Sequence, residues 1–127
     1  MAGSGALRVG LDLIEIERIR SALGRPRFRE RCFTAAERSY CDSRPNPAES
    51  YAGRFASKEA VGKALGCGVN FTWKEIEIAG HPRPSVSLSG KTKAWAARMR
   101  VERIDLSMTH SKGMAGAVAI LVFEEGD

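Results

Sequence analysis
The sequence predicts an α+β fold with a mostly antiparallel sheet and a long central helix. Three observations predict it. After one apolar strand, the first half repeats its hydrophobic residues at helical spacing. The second half switches to alternation with a period of two, and the longest helical stretch lies mid-chain between a proline-rich loop and closely spaced glycines.

"ALRVGLDLI" concentrates Leu, Val and Ile over a short span and is the first strand, with Asp12 near its end. Ile16, Ile19 and Leu23 then recur at helical spacing, which predicts a helix that stops by Gly24 and Pro26 and turns Arg18 away from its apolar stripe. "TAAE", Thr34 to Glu37, is a capping box, in which a hydroxyl and a carboxylate satisfy each other's free backbone amides; it opens a second, short helix toward Cys41. "DSRPNPAE" is a turn-rich loop. A long helix follows from about Ala48 to Leu65 and ends at Gly66, a residue suited to the left-handed C-cap. "WKEIEIAG" and "PSVSLSG" alternate Ile76, Ile78, Val86 and Leu88 with polar residues, so they are half-buried strands joined by a hairpin turn in "GHPRP", where His81 is a turn residue. Lys91 to Val101 sets Trp95 and Met99 four apart, a helix with Trp95 in the core. "RIDLSMTHS" and "GMAGAVAILVFE" are two last strands joined at Lys112 and Gly113. The predicted order is strand, three helices, two strands, helix, two strands.

A chain of 127 residues fits a single domain, residues 1–127, that buries roughly two-thirds of its unfolded surface. An apolar fraction of 43% and a charged fraction of 28% belong to a soluble globular protein. No apolar run approaches the roughly 20 residues needed to span a bilayer, and "MAGSGA" has neither a charged start nor an apolar stretch to direct secretion. Cys32, Cys41 and Cys67 are odd in number and lack CxxC spacing, as expected of free thiols in a reducing compartment. The expectation is a cytoplasmic protein with no membrane partner. The net charge of +5 is uneven: between Ile16 and Arg31 lie Arg18, Arg20, Arg25, Arg27, Arg29 and Arg31 against Glu17 and Glu30. Such a segment implies an acidic partner, without choosing among nucleic acid, a membrane surface and an acidic protein.

Within "RFASKEAVGKALGCG", Glu59 and Lys63 are four apart and project from one helix face, with Gly62 beside them leaving backbone uncovered. Two readings stand at this point. One is a solvated pair worth about 0.3 to 0.5 kcal/mol to the helix. The other is a site for a metal-bound phosphate, with Glu59 on the metal and Lys63 on the phosphate. Magnesium suits Asp12 with Glu59, because it is held by one or two carboxylates plus substrate phosphates and keeps several waters. Asp12 alone also fits a strand end, and His110 fits either a structural strand residue or a functional one. "GCG" can expose backbone amides to phosphate oxygens.

"GLDLIEIERI", "RFRERCFTAAERSYC", "AGRFASKEAVGKALGCG", "WKEIEI" and "LSMTHSKGMAGAVAI" occur in the order and spacing of the holo-acyl carrier protein synthases, the small bacterial type of 4′-phosphopantetheinyl transferase. The resemblance runs from about Leu7 to Val122 and favours the phosphate-site reading. It implies the 4′-phosphopantetheinyl transferase fold. It also implies transfer of the phosphopantetheine arm of coenzyme A to a serine of apo acyl carrier protein, which yields holo carrier protein and adenosine 3′,5′-bisphosphate and serves fatty acid biosynthesis. By the resemblance, Asp12 and Glu59 match the Mg2+ ligands and Lys63 the lysine at the coenzyme A phosphates; these three would carry the catalysis. Arg54, the backbone of Gly66 and Gly68, and His110 match positions associated with the nucleotide and its 3′-phosphate. Arg18 and Arg27 match basic positions that meet the carrier's acidic recognition helix. The family forms homotrimers with active sites at subunit interfaces, so Asp12 and Glu59 of one site could come from different chains.

The chemistry agrees, since phosphoryl transfer needs positioning and charge stabilisation more than covalent help. The serine must also lose a proton, and Glu59, Asp12 or a metal-bound water would each serve. Two departures stand out: "THS" replaces the family's more usual "SHT" or "SHD", which bears on His110 and Ser111, and "ASKEA" replaces "AAKEA". A small basic nucleic-acid-binding protein would account for the arginines but leave Asp12, Glu59 and Lys63 idle, and no interleaved aromatic signature accompanies them. A non-catalytic carrier-protein or coenzyme A binding module on the same fold is the other rival, and intact carboxylates argue against it.

Overall fold
The computed structural model describes residues 7–66 and 72–125. In chain order it contains β1 (Leu7–Glu15), α1 (Ile16–Leu23), α2 (Phe28–Cys32), α3 (Ala35–Asp42), α4 (Pro47–Leu65), a 3₁₀ turn (Trp73–Glu75), β2 (Ile76–Ala79), β3 (Ser85–Leu88), α5 (Gly90–Arg98), β4 (Val101–Ser111) and β5 (Met114–Phe123). All described pairings are antiparallel. They divide into a three-stranded sheet ordered β1-β5-β4 and a separate β2-β3 hairpin.

The α+β class and long central helix match the sequence expectation, with four differences, one of them that Trp73–Glu75, read as the start of a strand, is the 3₁₀ turn before β2. Four helices, not three, precede the hairpin, because α2 spans only five residues, too few for a hydrophobic period to register. It starts from Arg27 at φ 73°, a left-handed value that sequence patterns reserve for Gly or Asn. α5 stops before Val101, since Arg100 takes φ 65° and redirects the chain into β4. Trp95 is not a core residue: it is 40% exposed, and its indole N–H donates to the Leu65 carbonyl at 2.7 Å, covering the C-terminal end of α4 while Thr92 and Ala96 face inward.

Small residues set the distance between α4 and the sheet. Ala56, Ala60, Val61 and Ala64 pack against Ala117, Ala119 and Leu121 of β5. At Gly10 of β1, a Cβ would sit 1.9 Å from the Ala60 carbonyl oxygen, so only glycine lets the strand meet the helix backbone. A second cluster, with Ile16, Ile19, Cys32, Phe33, Cys41 and Tyr51, fastens α1 to α3 onto the first turns of α4.

The predicted capping box at Thr34 and Glu37 is present, and Glu37 does more than cap. Its Oε1 accepts from Thr34 N–H at 2.8 Å and lies 2.7 Å from Lys58 Nζ; its Oε2 accepts from Ile78 N–H at 2.7 Å. Lys58 donates to the carbonyls of Trp73 at 2.9 Å and Ile76 at 2.7 Å, and both side chains of the pair are fully buried. One ion pair thus joins α3, α4, the 3₁₀ turn and β2.

The sheet face away from α4 is open. Leu7, Val9, Leu11 and Leu13 of β1 are 62–66% exposed and stand opposite Val122, Ile120, Val118 and Gly116 of β5. This apolar ladder runs along an edge strand.

Candidate active site
Alternation along β1 turns Leu11 and Leu13 outward, and therefore points Gly10, Asp12 and Ile14 toward α4. Because Gly10 lets the two backbones meet, Asp12 comes beside the helix turn that carries Glu59 and Lys63. Lys63 Nζ donates to Asp12 Oδ1 at 3.1 Å and to the Leu11 carbonyl at 3.0 Å; Asp12 is 16% exposed and Lys63 53%. Lys63 forms no ion pair with Glu59 among the described residues, so the solvated helix pair is not what the spacing produces. Half-burial, reinforced by the negative charge of Asp12 and opposed by Lys63, pushes the Glu59 carboxyl above the usual range. Asp12, Glu59 and Lys63 therefore meet within a single chain rather than across two.

Two carboxylates on a strand and a helix, with a lysine between them and solvent, fit a hard divalent cation that retains its waters and binds phosphate. A cage of protein ligands is not present: no group of three or more His, Cys, Asp or Glu suited to a metal occurs among the described residues.

The residues matched to the nucleotide lie elsewhere. Arg54 is 4% exposed, yet no carboxylate pairs with it among the described residues. Its guanidinium lies 4.2 Å over the Tyr40 ring, Nη2 donates to the Gly80 carbonyl at 3.5 Å, and Nε has no hydrogen-bond partner. A buried, uncompensated cation is costly unless an anion reaches it. Arg54 lines a cleft of about 330 Å³ with Tyr40, Arg44, His81, Glu49 and His110. His110 on β4 sets its Nδ1 3.4 Å from Glu49 Oε2, which orients the ring at the cleft wall. Sequence reasoning passed over Tyr40, Arg44 and Glu49. Arg44 and Glu49 lie in "SRPNPAES", one residue before "AGRF", and that proximity to Arg54 was a signal for them; Tyr40 had none.

Gly66 caps α4 at φ 74°, and its N–H is taken by the Gly62 and Lys63 carbonyls. Gly68 lies outside the described residues, as does Cys67.

In the basic segment, Arg20 pairs with Glu17 and Arg29 with Asp42 and Tyr51, while Arg25 lies over the Phe28 ring. Arg18 and Arg27 have no side-chain partner among the described residues. Arg18 shares a shallow surface depression with Glu17 and Ser21 of α1 and with Arg25 just beyond it. The two arginines matched to carrier recognition are thus among those the fold leaves free.

No helix among the described residues is long and apolar enough to cross a membrane. A family model described as the 4′-phosphopantetheinyl transferase superfamily matches residues 8–119. The holo-[acyl-carrier-protein] synthase of Caldanaerobacter subterraneus subsp. tengcongensis is 44% identical over 118 residues, 90% of this chain and 93% of the relative. That of Chlamydia muridarum is 47% identical over 117 residues, 88% of this chain and 91% of the relative. Among solved structures, the Helicobacter pylori holo-[acyl-carrier-protein] synthase in complex with coenzyme A superimposes with a TM-score of 0.78 at 30% identity, over 89% of this chain and 98% of that one. The chain is a member of the 4′-phosphopantetheinyl transferase superfamily, within its holo-acyl carrier protein synthases.

Proposed function
We propose that this chain transfers the 4′-phosphopantetheine arm of coenzyme A to a serine hydroxyl of apo acyl carrier protein, as a step that equips a carrier for fatty acid biosynthesis. The observation that carries the proposal is the meeting of Asp12, Glu59 and Lys63 where β1 crosses α4, in a chain of this family. Asp12 and Glu59 would hold a magnesium ion, which when bound offsets charge on the pyrophosphate. Lys63 supplies a second positive charge there. In the reaction the serine oxygen forms a bond to phosphorus, the bond to the adenosine 3′,5′-bisphosphate oxygen breaks, and the serine proton must leave. Glu59 and Asp12 are acceptors supplied by the protein itself, and a water on the metal is a third. Mass spectrometry of apo carrier incubated with the protein, coenzyme A and magnesium tests the activity. A gain of the phosphopantetheine mass is expected, and its absence across several carriers would defeat the proposal.

The same reading takes the assembly to be a homotrimer with shared sites. Lys63 follows Arg54 by nine positions, about two and a half turns of an α-helix, which leaves a net rotation of about 180° and about 13.5 Å of rise. They therefore leave opposite sides of α4, and one chain does not offer both to one nucleotide. A neighbouring copy docked on the open β1 ladder would remove that apolar face from water and complete the site. Mixing inactive Glu59→Gln and Arg54→Ala chains, unfolded and refolded together, is expected to restore part of the activity. No recovery in mixed oligomers would place each site within one chain.

Arg18 and Arg27 would meet an acidic helix of the carrier. Charge steering acts on association, so Arg18→Glu is expected to raise the KM for carrier about tenfold or more at low salt, and that for coenzyme A far less. Paired titrations at low and physiological salt check this. Equal shifts in both KM values would remove Arg18 from the docking surface.

A further inference from the structure
Lys63, half exposed, is held against β1. Its two acceptors, Asp12 Oδ1 and the Leu11 carbonyl, both belong to β1 and hold the ammonium on the Asp12 carboxylate. A magnesium ion bonds carboxylate oxygen at about 2.0 to 2.1 Å and needs near-octahedral space around it. An ammonium already 3.1 Å from Asp12 Oδ1 occupies much of that space. The two cations compete for one oxygen. An isolated pair of carboxylates also repels itself, and Lys63 is the cation that the fold places there.

We propose that Lys63 is the resident counter-cation of the Asp12–Glu59 pair, and that its displacement couples the binding of metal to the binding of coenzyme A. A divalent cation must push the ammonium off Asp12, and a phosphate alongside gives that ammonium its next partner. Metal alone is then held weakly and metal with coenzyme A tightly; by linkage the metal strengthens coenzyme A binding by the same factor. This rests on Asp12 and Glu59 being the metal site.

The test is Mn2+ binding, followed by electron paramagnetic resonance and calorimetry, to wild type and to Lys63→Met, each without and with saturating coenzyme A. Lys63 is half exposed, so its competition is of the modest, solvent-screened kind. Without coenzyme A, Lys63→Met is expected to bind Mn2+ about two- to fivefold more tightly than wild type. With it, both proteins gain whatever the phosphate adds to the metal directly, and wild type gains about two- to fivefold more than the variant, because its ammonium has left Asp12. The advantage of the variant therefore disappears when coenzyme A is added. Uniform tightening in the variant under both conditions would be simple charge repulsion and would overturn the displacement, as would unchanged or weaker binding without coenzyme A. Asp12→Asn separates the two layers. If it leaves Mn2+ binding intact, the metal-site reading falls and takes the proposal with it. If it abolishes binding while the advantage of Lys63→Met persists with coenzyme A, only the coupling fails.

Discussion

Glu59→Gln is expected to lower turnover by about a hundredfold or more while leaving the fold intact, the scale seen when one key electrostatic group is removed from an active site. The substitution keeps size and shape and removes one negative charge. Glu59 is half-buried and its carboxyl is already strained upward in pKa by burial and by Asp12, so the native state loses no favourable ion pair and the thermal midpoint should hold or rise slightly. The proposed metal loses one of two carboxylates, and the serine proton loses an acceptor. Measured with both substrates saturating, the defect should appear in kcat, and if metal affinity is the cause it should shrink as magnesium is raised. A kcat within a few-fold of wild type at limiting magnesium would take Glu59 out of the site.

Asp12 and Glu59 are 47 positions apart, and their meeting was legible only through family resemblance. The physical cause lies between them. Gly10 and the alanines of α4 are unremarkable in a sequence, yet they decide that strand and helix touch backbone to backbone. Lys63 shows the limit of a local signal. Its spacing from Glu59 is a sound local signal, but two acceptors on β1 outweigh one on its own helix, and tertiary contacts override the helix pair. Periodicity placed α1, α4 and most of the alternating strands within a residue or two, because one face of each is buried, but it carried β2 back over Trp73–Glu75, which is a 3₁₀ turn. It could not find α2, a single turn entered through a left-handed arginine, nor place Trp95, whose indole is held by a carbonyl thirty residues away. Arg54 was identified by its match to the family, while what makes it suited to an anion, burial without a counter-charge, is a property only the folded chain has.

Glu37 and Lys58 carry the second large effect, on stability. Burial pushes the Lys58 pKa down and Glu37 opposes it, so each charge is tolerated because the other is present. Lys58→Met retains most of the side-chain volume but strands the carboxylate, and is expected to lose about 3 to 5 kcal/mol of unfolding free energy, as when one partner of a buried pair is removed. That is a large part of the roughly 5 to 15 kcal/mol that holds a domain together. Replacing both members of a buried pair by apolar residues is often neutral, which would predict recovery in Lys58→Met/Glu37→Leu. Here recovery is not expected. The pair also satisfies the N–H groups of Thr34 and Ile78 and the carbonyls of Trp73 and Ile76, and each such group left buried without a partner costs about 1 to 3 kcal/mol. The double variant should therefore stay at least as unstable as either single one. Urea unfolding of the three variants decides between these outcomes through their midpoints. A double variant restored to wild-type stability would mean that the four backbone groups find other partners, and that the pair is an ordinary buried ion pair rather than the junction of α3, α4 and β2.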